Sequence, residues 1–266
     1  EPLATPGDDS RAYYALAKSL YAEGSFGGPE FEDSSDWSPG APLIYAAAFY
    51  ATGGAREGTA RIVELLFGLA AIVAVYLLGR RINCRPAGLI GAFGVAVYPP
   101  FIHSTGALFS EPPAIFMLPA SVLAFIWADG RMRANGASAS AAEAGPSLWS
   151  RVWPWLIPGL GFGLTALIRP EYLSVCAAFT LFLLIRAWFK AGPKVALFSS
   201  ILFVLAVSIP IVPWTIHNYH QLDRVVPVST GSGKALFTVC PISPFAVQHL
   251  LRQLVYGLCR SDWSGS

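Results

Sequence analysis

The sequence is short of charged residues. Asp, Glu, Lys and Arg make up 13% of its 266 residues, which is about half of their usual share in soluble domains. A soluble fold gains nothing from this shortage. A lipid bilayer requires it, because an ionised side chain at the bilayer centre costs roughly 3 kcal/mol or more. The net charge is only +2 and no basic stripe is interleaved with aromatic residues, so the sequence predicts no nucleic-acid partner.

Metal, disulfide and phosphate-loop motifs are lacking as well. The four cysteines, Cys84, Cys176, Cys240 and Cys259, have no metal-ligand spacing. Cys84 is expected on the cytoplasmic side and Cys176 within the membrane, so a disulfide framework is not predicted. The segment Gly231–Lys234 resembles part of a phosphate loop but lacks the Walker spacing, which argues against nucleotide binding there.

Long apolar stretches, in contrast, are abundant. Six lie between Ile62 and Thr215, and a helix of about 18 residues is roughly 27 Å long, enough to cross the hydrocarbon core. The predicted spans are residues 62–79, 86–102, 112–128, 153–168, 172–189 and 195–216. The sequence therefore predicts an all-α membrane protein, a multi-pass transmembrane helix bundle that contacts membrane lipids.

The segments that join these stretches alternate in charge. Three connections are basic, and Asp129 and Glu143 are their only acids; the basic residues are Arg80, Arg81, Arg85, Arg131, Arg133, Arg151, Arg186, Lys190 and Lys194. The other connections carry Asp8, Asp9, Glu23, Glu30, Glu32, Asp33, Asp36, Glu57, Glu111, Glu171 and Asp223. Because an excess of Lys and Arg marks the cytoplasmic side, we expect a plasma-membrane protein whose acidic, extracytoplasmic face carries any acid–base chemistry.

Three regions follow from this topology. Residues 1–59 are predicted to form an extracytoplasmic loop with amphipathic surface helices, residues 60–217 the transmembrane bundle, and residues 218–266 a second extracytoplasmic segment. An extracytoplasmic amino terminus needs an element that exports it, yet the chain starts with Glu1 and shows no signal peptide. We therefore expect the chain to be a fragment that lacks an upstream transmembrane helix.

Local patterns predict the elements of the two outer regions. A first surface helix has an apolar face formed by Tyr13, Leu16, Ala17, Leu20 and Tyr21 and ends at Gly24. A second helix is predicted to begin with Ser38 as its N-cap and Pro39 at its first position, and to stop at Gly53. A short strand is expected at residues 225–229.

Polar groups that are far apart in sequence are predicted to meet at the acidic rim of the bundle. They are Asp8, Asp9, Glu111, Arg169, Glu171, His217, Asn218 and His220. Each also has a structural explanation. Asp9 could cap a helix, Glu111 could complement a helix dipole, Arg169 and Glu171 could form only an ion pair, and His217 could be an interfacial polar residue. Charged groups at this depth are costly unless they are paired or functional, so their convergence favours a site.

One chemistry suits such a rim. A carboxylate can act as general base on an acceptor hydroxyl or amine, and a nearby Arg can stabilise a phosphate leaving group. Because nucleotide sugars are not expected outside the cytoplasm, the donor would be a sugar on a lipid phosphate.

Several short motifs, in order, resemble a known family. They are Asp8–Ala17, Ser38–Leu43, Ala60-Arg61, Tyr98-Pro99-Pro100, Ser110-Glu111, Leu164–Pro170 and Pro213–Tyr219. Together they resemble the family 39 glycosyltransferases, the relatives of protein O-mannosyltransferases and lipid A aminoarabinose transferases, which have the GT-C membrane fold. The resemblance extends to about Gly233 and implies a hexosyl- or pentosyltransferase that inverts a polyprenyl-phosphate-linked sugar onto a protein, lipid or glycan acceptor.

The resemblance also implies roles for individual residues. The catalytic base falls on Asp9 or Asp8, with Asp9 preferred because Tyr13 follows it by four residues. Glu111 would be the second acid, and Arg169 a contact to the donor phosphate, with His217 and Asn218 as further candidates there. No metal site is predicted, although Asp8, Asp9 and Glu111 could share a divalent cation.

Two other functions compete with transfer. A transporter or lipid flippase would use intramembrane charges, but Glu64 is the only acid inside a predicted span and lies near its outer end, whereas transporters place ionisable groups at the midplane. A structural subunit without chemistry would tolerate substitution of the outer acids.

Overall fold

The structure is a computed structural model that describes residues 9–27, 34–139 and 147–231. No strand occurs in these ranges, and the chain there is mainly α-helical. The α-helices are α1 (Asp9–Glu23), α2 (Gly40–Thr52), α3 (Glu57–Ile82), α4 (Arg85–Val97), α5 (Pro99–Gly106), α6 (Glu111–Ala139), α7 (Leu148–Val152), α8 (Leu156–Ile168), α9 (Tyr172–Ala191) and α10 (Pro193–Leu222). The all-α fold class is confirmed.

Five segments of the described chain are long and apolar enough to cross a membrane: Glu57–Ile82, Glu111–Asn135, Leu148–Ile168, Tyr172–Ala191 and Pro193–Leu222. A sixth crossing requires α4 and α5 together, and these two helices meet at an angle of 58°. The predicted second span is therefore bent. The bend follows from the sequence, because Pro99 disfavours a helical backbone at the preceding Tyr98, which has φ −73° and ψ 110°.

Three local predictions were wrong. Residues 129–139 continue α6 instead of belonging to a loop between the predicted spans 112–128 and 153–168. The N-cap of α2 is Pro39 and not Ser38, so Pro39 precedes α2 instead of beginning it; the Ser38 hydroxyl pairs with that of Ser229 at 3.4 Å. Residues 225–229 form no strand, because their carbonyl groups accept hydrogen bonds from side chains of α10 instead of from a neighbouring strand.

Helix α1 forms as predicted but packs differently. Gly24, with φ +67°, ends it in the left-handed conformation that glycine adopts readily. The apolar residues Tyr13, Leu16 and Ala17 are buried within the protein, where Tyr13 and Ala17 join Tyr45 and Phe49 of α2 in one cluster. The apolar face of α1 is therefore covered largely by α2 and not by lipid.

The helices share two ends. We call the end of the bundle with Glu57, Glu111 and Arg169 the acidic end. Helices α2 and α8 are in close contact there, because a Cβ added to Gly40 of α2 would be 2.5 Å from the Cα of Ile168. At the opposite, basic end, Arg186 of α9 donates two hydrogen bonds of 2.8 Å to Asp129 of α6. The predicted alternation of charge is thus present in the fold.

Close helix contact explains the glycines of α8. A Cβ at Gly159 would lie 2.7 Å from the carbonyl oxygen of Phe203, and one at Gly163 would lie 2.4 Å from that of Val207. Small residues allow this approach of α8 to α10. The main apolar cluster lies here and includes Trp155, Phe162 and Phe203. The described residues up to 229 belong to one compact unit; of the second, Thr230–Ser266, the structure describes residues 230 and 231.

Candidate active site at the acidic end

The start of α6 is fixed by tyrosines from two other helices. Residues 107–110 lead into Glu111, and Leu108 has a left-handed backbone with φ +55°, a conformation that costs a residue other than glycine about 1 kcal/mol or more. The Phe109 carbonyl lies 3.2 Å from the Tyr45 hydroxyl, and the Ser110 side chain lies near enough to the Tyr13 hydroxyl to lower its pKa. These contacts hold the segment that presents Glu111.

Arg169 lies between two carboxylates. Its Nη1 donates to Glu111 Oε1 over 2.8 Å, and its Nε donates to Glu171 Oε1 over 2.5 Å. The local sequence places it, because Pro170 stops α8 at Ile168 and leaves Arg169 extended, with φ −142° and ψ 113°. Partial burial opposes the Arg169 charge, but Glu111 and Glu171 outweigh this effect and raise its pKa. Arg169 is therefore a firmly cationic group at the acidic end.

Tyr13 connects Asp9 to this ion pair. Its ring is buried and packs edge-on against Trp37, with centroids 5.5 Å apart. Burial is the main cause that raises the pKa of its hydroxyl; the Ser110 side chain and Arg169 lower this pKa, and Asp9 and Glu111 raise it. The charges of Asp9, Glu111 and Arg169 all act on this hydroxyl, and Arg169 and Glu111 are joined directly by their ion pair. Asp9 is exposed in the first turn of α1.

A buried acid next to this cluster was missed as a site residue. Glu64 of α3 is fully buried and hydrogen-bonded to the Tyr45 hydroxyl. Burial raises the pKa of Tyr45 well above its ordinary value. The signal was present, because Glu64 is the only acid within a predicted span; its partner Tyr45 carried no such signal.

The polar residues in the last turns of α10 belong to a different set of contacts. His217 stacks on Trp214, with ring centroids 4.7 Å apart, and meets the edge of Phe26. Its Nε2 is buried without a hydrogen-bond partner in the described ranges, so a role in donor binding stays a prediction. Asn218 is buried, and its amide nitrogen donates to the carbonyl groups of Val226 and Val228 at 3.0 Å. Both amide protons are thereby used to hold the segment after α10, which leaves none for a phosphate.

Asp8 lies outside the described residues, so its position relative to Asp9 is not described. Within the described ranges, no three acidic, histidine or cysteine side chains are placed to hold a metal ion. The guanidinium of Arg169 occupies Glu111 Oε1, and a cation there disfavours a divalent ion at the same oxygen. A divalent cation shared by Asp8, Asp9 and Glu111 stays a prediction.

The family model for oligosaccharyl transferase STT3, N-terminal, matches residues 13–248. The chain belongs to this family. No curated protein and no solved structure gives a significant match. Membership supports a membrane glycosyltransferase of the GT-C type. The predicted fold type and enzyme class are thereby confirmed at this level, whereas the narrower assignment to family 39 is not.

Proposed function

We propose that the protein transfers a sugar from a polyprenyl-phosphate donor to an acceptor at the acidic, extracytoplasmic end of the bundle. The observation that carries this proposal is the convergence of Asp9, Glu111 and Arg169 around Tyr13. An exposed carboxylate beside a firmly cationic arginine offers a base and a site for a phosphate leaving group.

The proposed reaction is a single displacement. Asp9 accepts the proton of the acceptor hydroxyl or amine while the acceptor atom forms a bond to the anomeric carbon. The bond between that carbon and the phosphate oxygen breaks, and the phosphate keeps the electron pair. Arg169 stabilises the resulting charge, since charge-assisted bonds from a guanidinium to phosphate are strong. Asp8 remains the alternative base.

Glu111 and Glu171 hold Arg169 in place before the donor binds. They contact Nη1 and Nε, and 32% of the side chain of Arg169 stays accessible. An incoming phosphate can therefore reach the guanidinium without first moving it. Because the guanidinium of Arg169 is already fixed in place, no free energy is needed to orient it during the reaction.

A groove in the membrane-spanning region suits a lipid-linked donor. It has a volume of about 460 Å³, lies between α9 and α10, and is lined by Cys176, Ala177, Thr180, Leu181, Leu184, Val204 and Val207. Cys176 follows Glu171 by five residues, so the groove begins roughly 6–8 Å along α9 from the Arg169 turn. A donor with its phosphate at Arg169 would thus find an apolar channel for its tail.

Asp9→Asn tests the base in membranes from cells that express the full-length protein. The donor is a radiolabelled mannosyl polyprenyl phosphate, and both labelled acceptor and released polyprenyl phosphate are measured. We expect Asp9→Asn to abolish transfer at unchanged expression. Asp223→Asn is the matched control, because Asp223 is an exposed acid at the end of α10 in a left-handed conformation that Asn also tolerates.

Unchanged transfer in both the Asp9→Asn and Asp8→Asn variants would remove the proposed base. The family name refers to oligosaccharide transfer, so a polyprenyl-diphosphate oligosaccharide is tested in parallel. Transfer from this donor alone would replace the single-sugar phosphate with the oligosaccharide as substrate and would leave the roles of Asp9 and Arg169 in place.

Labelling in intact cells tests the side of the membrane. A membrane-impermeant maleimide should label Ala51→Cys, which is exposed at the acidic end, but not Cys84, which is exposed near the basic end; Cys240 and Cys259 are replaced by Ser. The opposite pattern would place the site in the cytoplasm.

The bent pair α4 and α5 favours a transporter as the second candidate, because transporters use broken helices. A transporter would move the labelled lipid across vesicles without consuming it.

A further inference from the structure

Glu64 is a buried acid whose surroundings do not suit a negative charge. No part of the residue is exposed. Its Oε1 is hydrogen-bonded to Tyr45, and its Oε2 is buried without a partner. No ion pair of Glu64 occurs in the described chain, and the nearby charge that acts on it is the carboxylate of Glu111. An ionised carboxylate with one unpaired buried oxygen is costly, whereas a neutral acid tolerates an unpaired carbonyl far better.

A count of protons gives the same answer. The Tyr45 hydroxyl lies within hydrogen-bond distance of two acceptors, Glu64 Oε1 and the Phe109 carbonyl oxygen. A phenol has one proton to donate. If Glu64 is ionised, that proton satisfies either Glu64 or Phe109 and leaves the other without it. If Glu64 is protonated, its O–H donates to the Tyr45 oxygen and Tyr45 donates to Phe109, so every contact is satisfied.

We propose that neutral Glu64 and Tyr45 form a hydrogen-bond relay that positions the residue 107–110 segment, and with it Glu111 and Arg169. The order of donation is Glu64 to Tyr45 to the Phe109 carbonyl. Glu64 is a positioning residue, because it acts on the site through Tyr45 and the backbone. Its kinetic test rests on the proposed transferase activity.

The relay has a physical task at this point of the fold. Leu108 is held in a left-handed backbone, which persists only where neighbouring contacts impose it. Each of the next two residues lies close to a tyrosine. The Phe109 carbonyl is within hydrogen-bond distance of Tyr45, and the Ser110 side chain acts on the hydroxyl of Tyr13. Glu111, which follows directly, pairs with Arg169 at 2.8 Å. Loss of the Tyr45 contact would let the segment relax and displace the ion pair.

Substitutions at Glu64 and Tyr45 distinguish a neutral hydrogen-bond relay from an ionised Glu64. Glu64→Gln keeps a neutral side chain with a donor, so transfer should stay within about threefold of the wild type. Glu64→Leu and Tyr45→Phe should lower kcat by about 100-fold at nearly unchanged KM, the loss expected when a reacting group moves by about 1 Å. A Glu64→Gln variant as inactive as Glu64→Leu would overturn the proposal, as would full activity of Glu64→Leu.

Infrared spectroscopy of the purified full-length protein provides a test that needs no activity. At neutral pH the wild type should show the carbonyl stretch of a protonated carboxylic acid, and Glu64→Gln should lack that band. A Glu64-dependent carboxylate band in its place would overturn the proposal. If the acid band is present but Asp9→Asn still transfers sugar, the base assignment fails while the neutral relay stands.

Discussion

Replacement of Arg169 should lower the rate of sugar transfer strongly and the stability of the fold only slightly. Its guanidinium contacts Glu111 over 2.8 Å and Glu171 over 2.5 Å. Arg169→Ala removes the charge and both contacts. Arg169→Lys keeps the charge, but an ammonium is a single point and does not reproduce the planar fork that reaches two carboxylates.

The expected loss of stability is small. The side chains are 32% exposed for Arg169, 40% for Glu111 and 53% for Glu171, so solvent screens both ion pairs. Such pairs contribute about 0–1 kcal/mol each. We therefore expect Arg169→Ala to lower the melting temperature in detergent by roughly 2–4 °C per kcal/mol lost, that is, by a few degrees.

The expected loss of transfer is much larger. Removing one preorganised donor that meets developing charge lowers kcat by about 10²–10³, equivalent to about 2.7–4 kcal/mol of barrier. Arg169→Lys should fall between Arg169→Ala and the wild type, because a cation remains near the phosphate without the bidentate geometry. Glu111→Gln should weaken transfer less than Arg169→Ala, since Glu171 still holds the guanidinium.

The measurement is the initial rate of release of polyprenyl phosphate from a radiolabelled mannosyl polyprenyl phosphate in membranes with equal amounts of each variant. Arg56→Ala is the matched control, because Arg56 is an exposed arginine at the same end, directly before α3. If Arg169→Ala kept kcat within about threefold of the wild type while its melting temperature fell as expected, Arg169 would be a structural ion pair and no phosphate contact.

Two further predictions concern stability. Asp129→Asn should lower the free energy of unfolding by roughly 2 kcal/mol, less than a fully buried pair costs, because Asp129 is 7% exposed but its partner Arg186 is 29% exposed. Glu57→Gln is the comparison, because Glu57 pairs with Arg61 over 2.9 Å and its side chain is 44% exposed; it should lower the free energy of unfolding by under about 1 kcal/mol. Equal melting temperatures of the two variants would contradict this expectation. Gly163→Ala should destabilise the protein by about 1–3 kcal/mol through overpacking, since the added Cβ would lie 2.4 Å from the carbonyl oxygen of Val207. Gly130→Ala is the control, because the space around Gly130 is open. If Gly163→Ala lowered the melting temperature no more than Gly130→Ala, α8 and α10 would separate easily.

Part of the site could be predicted from the sequence, because topology brings span ends together. Glu111 and Arg169 each stand at the end of an apolar stretch on the same predicted side, and they form an ion pair. The same argument could not reveal that Asn218 turns inward to hold residues 226 and 228, because direction within one helical turn depends on packing. The bend at Tyr98 could have been anticipated from Pro99, but its angle of 58° could not.

The sequence by itself determined the number and position of the apolar segments and the alternation of charge between them. Both follow from the cost of placing charge and unpaired backbone groups in lipid, which acts on each segment separately. Only the tertiary structure decided that the charges of Asp9, Glu111 and Arg169 act on the hydroxyl of Tyr13 and that the hydroxyl of Tyr45 contacts a buried Glu64. Those contacts depend on how helices from distant parts of the chain are rotated and how closely they pack, which no single segment encodes.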